Sequence, residues 1–154
     1  METEKIYTDI RAKFVNYLEE KKLRKTAERF AILDCIFQIA GHFDMYMLHQ
    51  RLEKLGFHVS RATVYNTLEV LEDCGLIMRH QFMTQAAQYE LRFLAETHAH
   101  AICTRCGNVR ELKEEEGLKR SIDTLKITRF HSEFHALYIY GICTKCRKRA
   151  QRTK

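Results

Sequence analysis

Ser60-Arg-Ala-Thr-Val-Tyr-Asn-Thr-Leu-Glu-Val-Leu-Glu-Asp-Cys-Gly75, followed by Leu76-Ile-Met-Arg-His-Gln-Phe82, is the stretch on which the fold of this 154-residue chain turns. Val64, Leu68 and Leu71 recur at helical spacing between a capping serine and a glycine suited to the left-handed residue beyond a helix end. After Gly75 the period drops to two. Gln88-Tyr-Glu-Leu91 resumes the alternation after the loop Met83–Ala87, so the two runs predict a β-hairpin. Upstream, Ile10, Phe14 and Leu18 predict a helix over roughly residues 8–21. A second helix starts after Thr26, with Phe30, Leu33, Ile36, Phe37 and Ala40 inward and Gly41 at its end. A third runs from an Asp44 cap through Met45, Leu48, Leu52 and Leu55 to Gly56. Short helices followed by a hairpin are the layout of a winged helix-turn-helix domain.

Downstream the pattern changes. Ala101–Cys103, Val109–Leu112 and Ala136–Tyr140 read as strands, and Glu114–Lys126 reads as a helix. The expected fold class is α+β: a winged helix-turn-helix domain over residues 1–92 and a small α/β domain over residues 93–154, hinged at Arg92–Glu96. The second domain has too little apolar material for a core of its own. A metal, dimerisation or both should supply what is missing.

The metal has a visible address. Cys103 and Cys106 form one Cys-x-x-Cys pair, Cys143 and Cys146 another. A two-residue gap turns both sulfurs of a pair inward on one knuckle, and two knuckles make a tetrahedral cage for Zn²⁺. With 36 residues between Cys106 and Cys143, the ion would staple a folded unit rather than one hairpin. Two disulfides are the competing reading. They need no matched spacings, and the polar start Met1-Glu-Thr-Glu-Lys5 has no apolar signal core, so a reducing, cytoplasmic setting is expected. No run approaches the roughly 18 apolar residues of a membrane span.

Net charge is +6, which invites an anionic partner. Residues 1–92 hold 13 bases and 13 acids, so the whole excess falls on residues 93–154, much of it in the tail Arg147–Lys154. Such a tail is expected to be solvated and mobile. The case for DNA rests instead on the helix after Ser60: with Val64, Leu68 and Leu71 inward, Arg61, Thr63, Tyr65 and Asn66 face outward near its start, where recognition helices meet base edges and phosphates. Lys25 and Arg29, within the basic run at the start of the second helix, are candidate phosphate contacts; a plain solvated face is the bland alternative. Beside the first knuckle, His98 and His100 stand two apart on a strand and can reach one ion, with Glu90, Glu111 and His42 as further donors. Imidazole with carboxylate suits Fe²⁺, Mn²⁺ or Zn²⁺.

Taken together, Ala62-Thr-Val-Tyr65, Gly75-Leu-Ile77, Tyr89-Glu-Leu91, His98-x-His-x-x-Cys-x-x-Cys-Gly107, Val109-Arg-Glu111, His135-x-Leu-Tyr138 and the last Cys-x-x-Cys resemble the ferric uptake regulator family of metal-dependent repressors over nearly the whole chain. The resemblance implies a homodimer built through the C-terminal domain and binding double-stranded operator DNA, with no catalytic activity. It implies structural Zn²⁺ on the four cysteines and a regulatory ion on His42, Glu90, His98, His100 and Glu111, shared across the hinge. Tyr65 is the implied base contact. Relatives that sense peroxide tend to have aspartates where Glu90 and Glu111 stand, so Fe²⁺ sensing is expected; a peroxide, manganese or zinc sensor of the same family is the alternative. Zinc sensors commonly add a cysteine ligand, but Cys35 and Cys74 fall within helices and read as buried thiols.

The departures from the family pattern are specific. Thr97, Ala99 and Leu118 stand where a third metal site would need ligands, so no third site is expected despite His135. Asn66 replaces a common arginine, Glu28 a frequent proline, and the wing turn lacks glycine. A zinc hydrolase is a weaker reading, because four thiolates leave the ion no position for water. An RNA-binding zinc ribbon leaves the helical half unexplained.

Overall fold

Three polar side chains set the starts of three helices. Thr26 Oγ1 accepts from the Arg29 N–H, Asp44 Oδ1 from that of Met47 and Ser60 Oγ from that of Thr63. Each bond satisfies an N–H group that a helix start leaves without an internal partner. The computed structural model describes residues 2–82, 86–92, 98–113, 124–125, 127–131 and 135–152. In it these caps open α2 (Ala27–Phe37), α3 (Met45–Lys54) and α4 (Arg61–Asp73), preceded by α1 (Glu2–Glu20). Helix α1 begins earlier than its apolar stripe suggests. Ile6 packs against the core one turn before Ile10, and the Tyr7 hydroxyl donates to Asp34 of α2. Glu28, in place of a helix-opening proline, lies in the first turn of α2, where its own N–H and the Thr26 hydroxyl hold its carboxyl below the usual range.

Ile10, Phe14 and Leu18 meet Leu33 and Ile36 of α2, Leu48 and Leu52 of α3, and Val64, Leu68 and Leu71 of α4 in one core. Two expected core positions are not in it. Ala40 is exposed because α2 ends at Phe37 with Gln38 as its cap, so Gly41 (φ 78°) belongs to the following loop. Leu55 is the C-cap of α3 and half exposed at 51%. At the end of α4, Gly75 takes the expected positive φ of 68°.

The wing is the antiparallel pair β1 (Ile77–His80) and β2 (Gln88–Leu91), in the register Met78↔Glu90 and His80↔Gln88. Phe43 and Tyr89 exchange backbone hydrogen bonds of 2.8 and 2.7 Å and stack their rings at 5.8 Å. The loop between α2 and α3 is therefore sewn to β2, and His42 is set beside it.

The described chain divides into two compact units, residues 1–81 with 86–95 and residues 82–85 with 96–154. The second holds a sheet of β3 (His98–Cys103), β4 (Val109–Lys113) and β5 (Leu137–Gly141) in the order β4-β3-β5, antiparallel then parallel. Phe82 groups with this unit, its ring 5.1 Å from that of His100 and 5.9 Å from that of Tyr138. The tail expected to be mobile is a helix, α5 (Thr144–Arg152). The knuckle starts it: the Cys146 N–H points to Cys143 Sγ, which caps it as a serine hydroxyl would, and the Arg147 N–H donates to the Cys143 carbonyl. Lysine, arginine, alanine and glutamine then favour continuation. The expected helix Glu114–Lys126 and the hinge Arg92–Glu96 lie largely outside the described residues. No described helix is long and apolar enough to cross a membrane.

Ser60→Ala is expected to lower the stability of the helical unit by roughly 0.5–2 kcal/mol, read as a lower urea midpoint by circular dichroism, with Ser60→Asp close to wild type. An unchanged midpoint for the alanine variant would contradict the capping role.

Candidate metal centres and nucleic-acid interface

The two knuckles close on each other. The sulfurs of Cys103, Cys106, Cys143 and Cys146 all lie within 4.8 Å of one another, with Cys106 and Cys143 at 3.8 Å. Four sulfurs at about 2.3 Å from a tetrahedral Zn²⁺ are separated by about 3.8 Å, whereas a disulfide needs about 2.0 Å. All four thiols are free, so the donor set fits zinc and the disulfide reading is set aside. Gly107 takes a φ of 71° to turn the first knuckle, and the Cys103 N–H bonds the Asn108 carbonyl across it. The Cys143 N–H reaches Cys103 Sγ at 3.3 Å. The N–H groups of Cys143, Cys106 and Arg105 draw the Cys103 thiol down to about 6. The Cys146 thiol, donating to the sulfurs of Cys106 and Cys143, is pushed up to about 12. One thiolate forms readily here, and a cation must replace the protons of the rest.

In the helical unit, Glu90 on β2 is buried and gathers two histidines. His80 Nε2–H donates to Glu90 Oε1 at 2.8 Å, a normal hydrogen bond. His42 Nε2 stands 3.5 Å from the other oxygen, Oε2. That is long for a hydrogen bond, but two ligands at about 2.1 Å from one ion are separated by roughly 3.0–3.4 Å. The His42–Glu90 spacing is close to that of two ligands of one ion, while His80 holds the other oxygen of the carboxylate. Sequence reasoning missed His80. The signal was present: closing the two strands directly on the loop Met83–Ala87 sets His80 opposite Glu90, and the observed register, shifted by two, keeps both on one face.

In the second unit, His100 lies on the central strand β3, paired with Glu111 of β4 on one side and Tyr138 of β5 on the other. Its ring is buried and stacks on Tyr138 at 5.6 Å. His98 stands two positions earlier on β3, paired with Lys113 of β4, and Glu111 is exposed. The expected ligands thus form two sets, one in each unit. Cys35 and Cys74 are buried, and burial pushes Cys74 up to about 11, so both behave as core thiols.

On α4, Arg61, Tyr65 and Asn66 are exposed, as a reading helix requires. Thr63 is half-buried, and its hydroxyl pairs with that of Ser60 at 2.9 Å, so it serves the cap. Lys25 pairs with Glu19, and Arg29 is half-buried with Nη1 buried. Both are less available to phosphates than the sequence suggests.

The sequence profile described as the ferric uptake regulator family matches residues 20–140. The ferric uptake regulation protein of Bordetella parapertussis is 35% identical over 133 residues, covering 85% of this chain and 94% of that protein. The peroxide operon regulator of Bacillus subtilis is 31% identical over 137 residues, covering 86% and 90%. Among solved structures, the ferric uptake regulator from Pseudomonas aeruginosa with manganese superposes with a TM-score of 0.68 at 28% identity, covering 82% of this chain and 95% of that one. With a winged hairpin behind an exposed α4, a four-sulfur cage and a match over most of its length, the chain belongs to the ferric uptake regulator family of metal-responsive transcriptional regulators.

Proposed function

We propose that the chain is a homodimeric, cytoplasmic repressor without catalytic activity, whose hold on double-stranded operator DNA depends on an exchangeable Fe²⁺. Structural Zn²⁺ sits on Cys103, Cys106, Cys143 and Cys146. The exchangeable ion takes His42 and Glu90 from the helical unit and His98, His100 and Glu111 from the sheet unit. The observation that supports this reading is the pair of unequal spacings around Glu90: 2.8 Å to His80, a hydrogen bond, and 3.5 Å to His42, close to the separation of two ligands of one ion. An ion bound by groups from both units favours the arrangement in which both reach it, by its differential affinity for that arrangement. A coupling of about 1–3 kcal/mol changes DNA affinity roughly 5–150-fold.

The chemistry of the donors orders the candidate metals. Imidazole and carboxylate are harder than thiolate and suit Fe²⁺ or Mn²⁺, while the thiols left outside the cage, Cys35 and Cys74, are buried away from any such role. Peroxide sensing is the second reading, favoured by the likeness to the Bacillus subtilis regulator. Oxidation of the iron-loaded protein separates the two: loss of DNA binding with 16 Da added at a ligand histidine supports the peroxide reading, and full recovery on re-adding Fe²⁺ supports iron sensing.

Cys143→Ser is expected to lose the tightly held zinc, measured by plasma emission, and with it the folded sheet unit, since structural zinc contributes about 10–16 kcal/mol of apparent binding energy. One zinc per chain in that variant would count against the cage. His100→Ala should keep zinc and dimer but lose the Mn²⁺- or Fe²⁺-stimulated binding of a duplex selected from a random pool; undiminished stimulation would rule out the proposed site. His80→Asn should weaken Mn²⁺ binding about 10–100-fold by calorimetry without removing a ligand. Wild-type affinity would show that Glu90 needs no orienting partner.

A further inference from the structure

Helix α5 has a feature that neither the zinc cage nor the regulatory site uses. Thr144-Lys-Cys-Arg-Lys-Arg-Ala-Gln-Arg152 contains five bases and no acid. Lys145, Lys148 and Arg149 stand at i, i+3 and i+4, which places them on one face, and all three are exposed. Cys146 and Ala150, both half-buried, occupy the opposite side, where Cys146 is held to the cage. The knuckle therefore fixes how the helix is turned and keeps its basic face outward.

The charge distribution says what this face is for. The recognition helix belongs to residues 1–92, which hold 13 bases against 13 acids and supply no net attraction for a polyanion. Lys25 is already paired with Glu19, and Arg29 is half-buried. The chain's entire excess of +6 lies in residues 93–154, and the five bases of α5 are most of it. DNA-binding proteins draw most of their sequence-independent affinity from lysine and arginine against phosphate, with release of counterions. We propose that the basic face of α5 is a second contact for the phosphate backbone of duplex DNA, separate from the recognition helix and indifferent to base sequence. This rests on the DNA-binding reading above and adds the segment that supplies its electrostatic part.

The test compares full-length, zinc-loaded wild type with Lys145→Gln/Lys148→Gln, binding a labelled 40-bp mixed-sequence duplex in Mn²⁺ at 50–200 mM NaCl. Each homodimer loses four phosphate contacts, so the plot of log affinity against log salt should flatten by about 3.6. The variant then loses on the order of 100-fold less affinity than wild type across that range. Charge-preserving Lys145→Arg/Lys148→Arg should match wild type, and the preference for a selected duplex over the mixed one should be unchanged in both. An unaltered slope in a glutamine variant that keeps its zinc overturns the inference while leaving the repressor reading intact. A variant that sheds its zinc is replaced by Lys148→Gln alone, which removes two contacts per homodimer; the slope should change by about 1.8 and an unchanged slope again overturns the inference. Wild type that fails to bind duplex DNA at all overturns both. Loss of binding to anionic phosphatidylglycerol vesicles with an unchanged DNA slope would mean that the face serves a membrane, and the inference fails.

Discussion

Four sulfurs within 4.8 Å of one another cannot all carry charge unless a cation stands among them. That constraint governs the C-terminal unit. Among its described residues, Ile139 and Tyr140 on β5 and Ile142 just beyond it are about half exposed. The cage joins the end of β3 to the end of β5 across a long sequence separation, keeping parallel neighbours in register. The same cage starts α5, because Cys143 is at once a member of the four-sulfur cluster and a helix cap. A disulfide could tie two points, but it would neither gather four nor supply the charge that lets all four deprotonate.

The proposed second centre would work by the opposite logic. The donors assigned to it are imidazoles and carboxylates, neutral or singly charged, which would be tolerable without an ion and so able to release one. Glu90 is where this shows most clearly: buried, anchored through one oxygen to His80 and offering the other beside His42. An anchored carboxylate loses little freedom when it binds metal, and its geometry discriminates among ions. The backbone stitch between Phe43 and Tyr89 supplies the rigidity, because it fixes the loop carrying His42 to the strand carrying Glu90. On the sheet unit, His100 shares a three-ring cluster with Phe82 and Tyr138, an equally confined setting.

Much of this is legible from periodicity and capping. Ile10, Phe14, Leu18, Val64, Leu68 and Leu71 are core residues, and Thr26, Asp44 and Ser60 are caps, because those signals are local. Ala40 and Leu55 read as core and are not, since a helix end is decided by a single turn that periodicity does not resolve. The zinc cage is readable from spacing alone. His80 escapes such a reading because its meaning depends on hairpin register, a tertiary property. Helix α5 escapes it because a run of bases looks like a solvated tail until a knuckle is seen to cap it. Thr63 reads as a base contact, and its pairing with the Ser60 hydroxyl is visible only in the structure.

If occupancy of the His/Glu centre sets the posture of the DNA-binding units, then metal and DNA must each tighten the other by the same factor. The direct measurement is the Fe²⁺ affinity of the zinc-loaded protein under anaerobic conditions, with and without saturating selected duplex. Fe²⁺ should bind more tightly in the presence of DNA, by the roughly 5–150-fold factor through which Fe²⁺ raises DNA affinity. Equal Fe²⁺ affinities in the two conditions would contradict it.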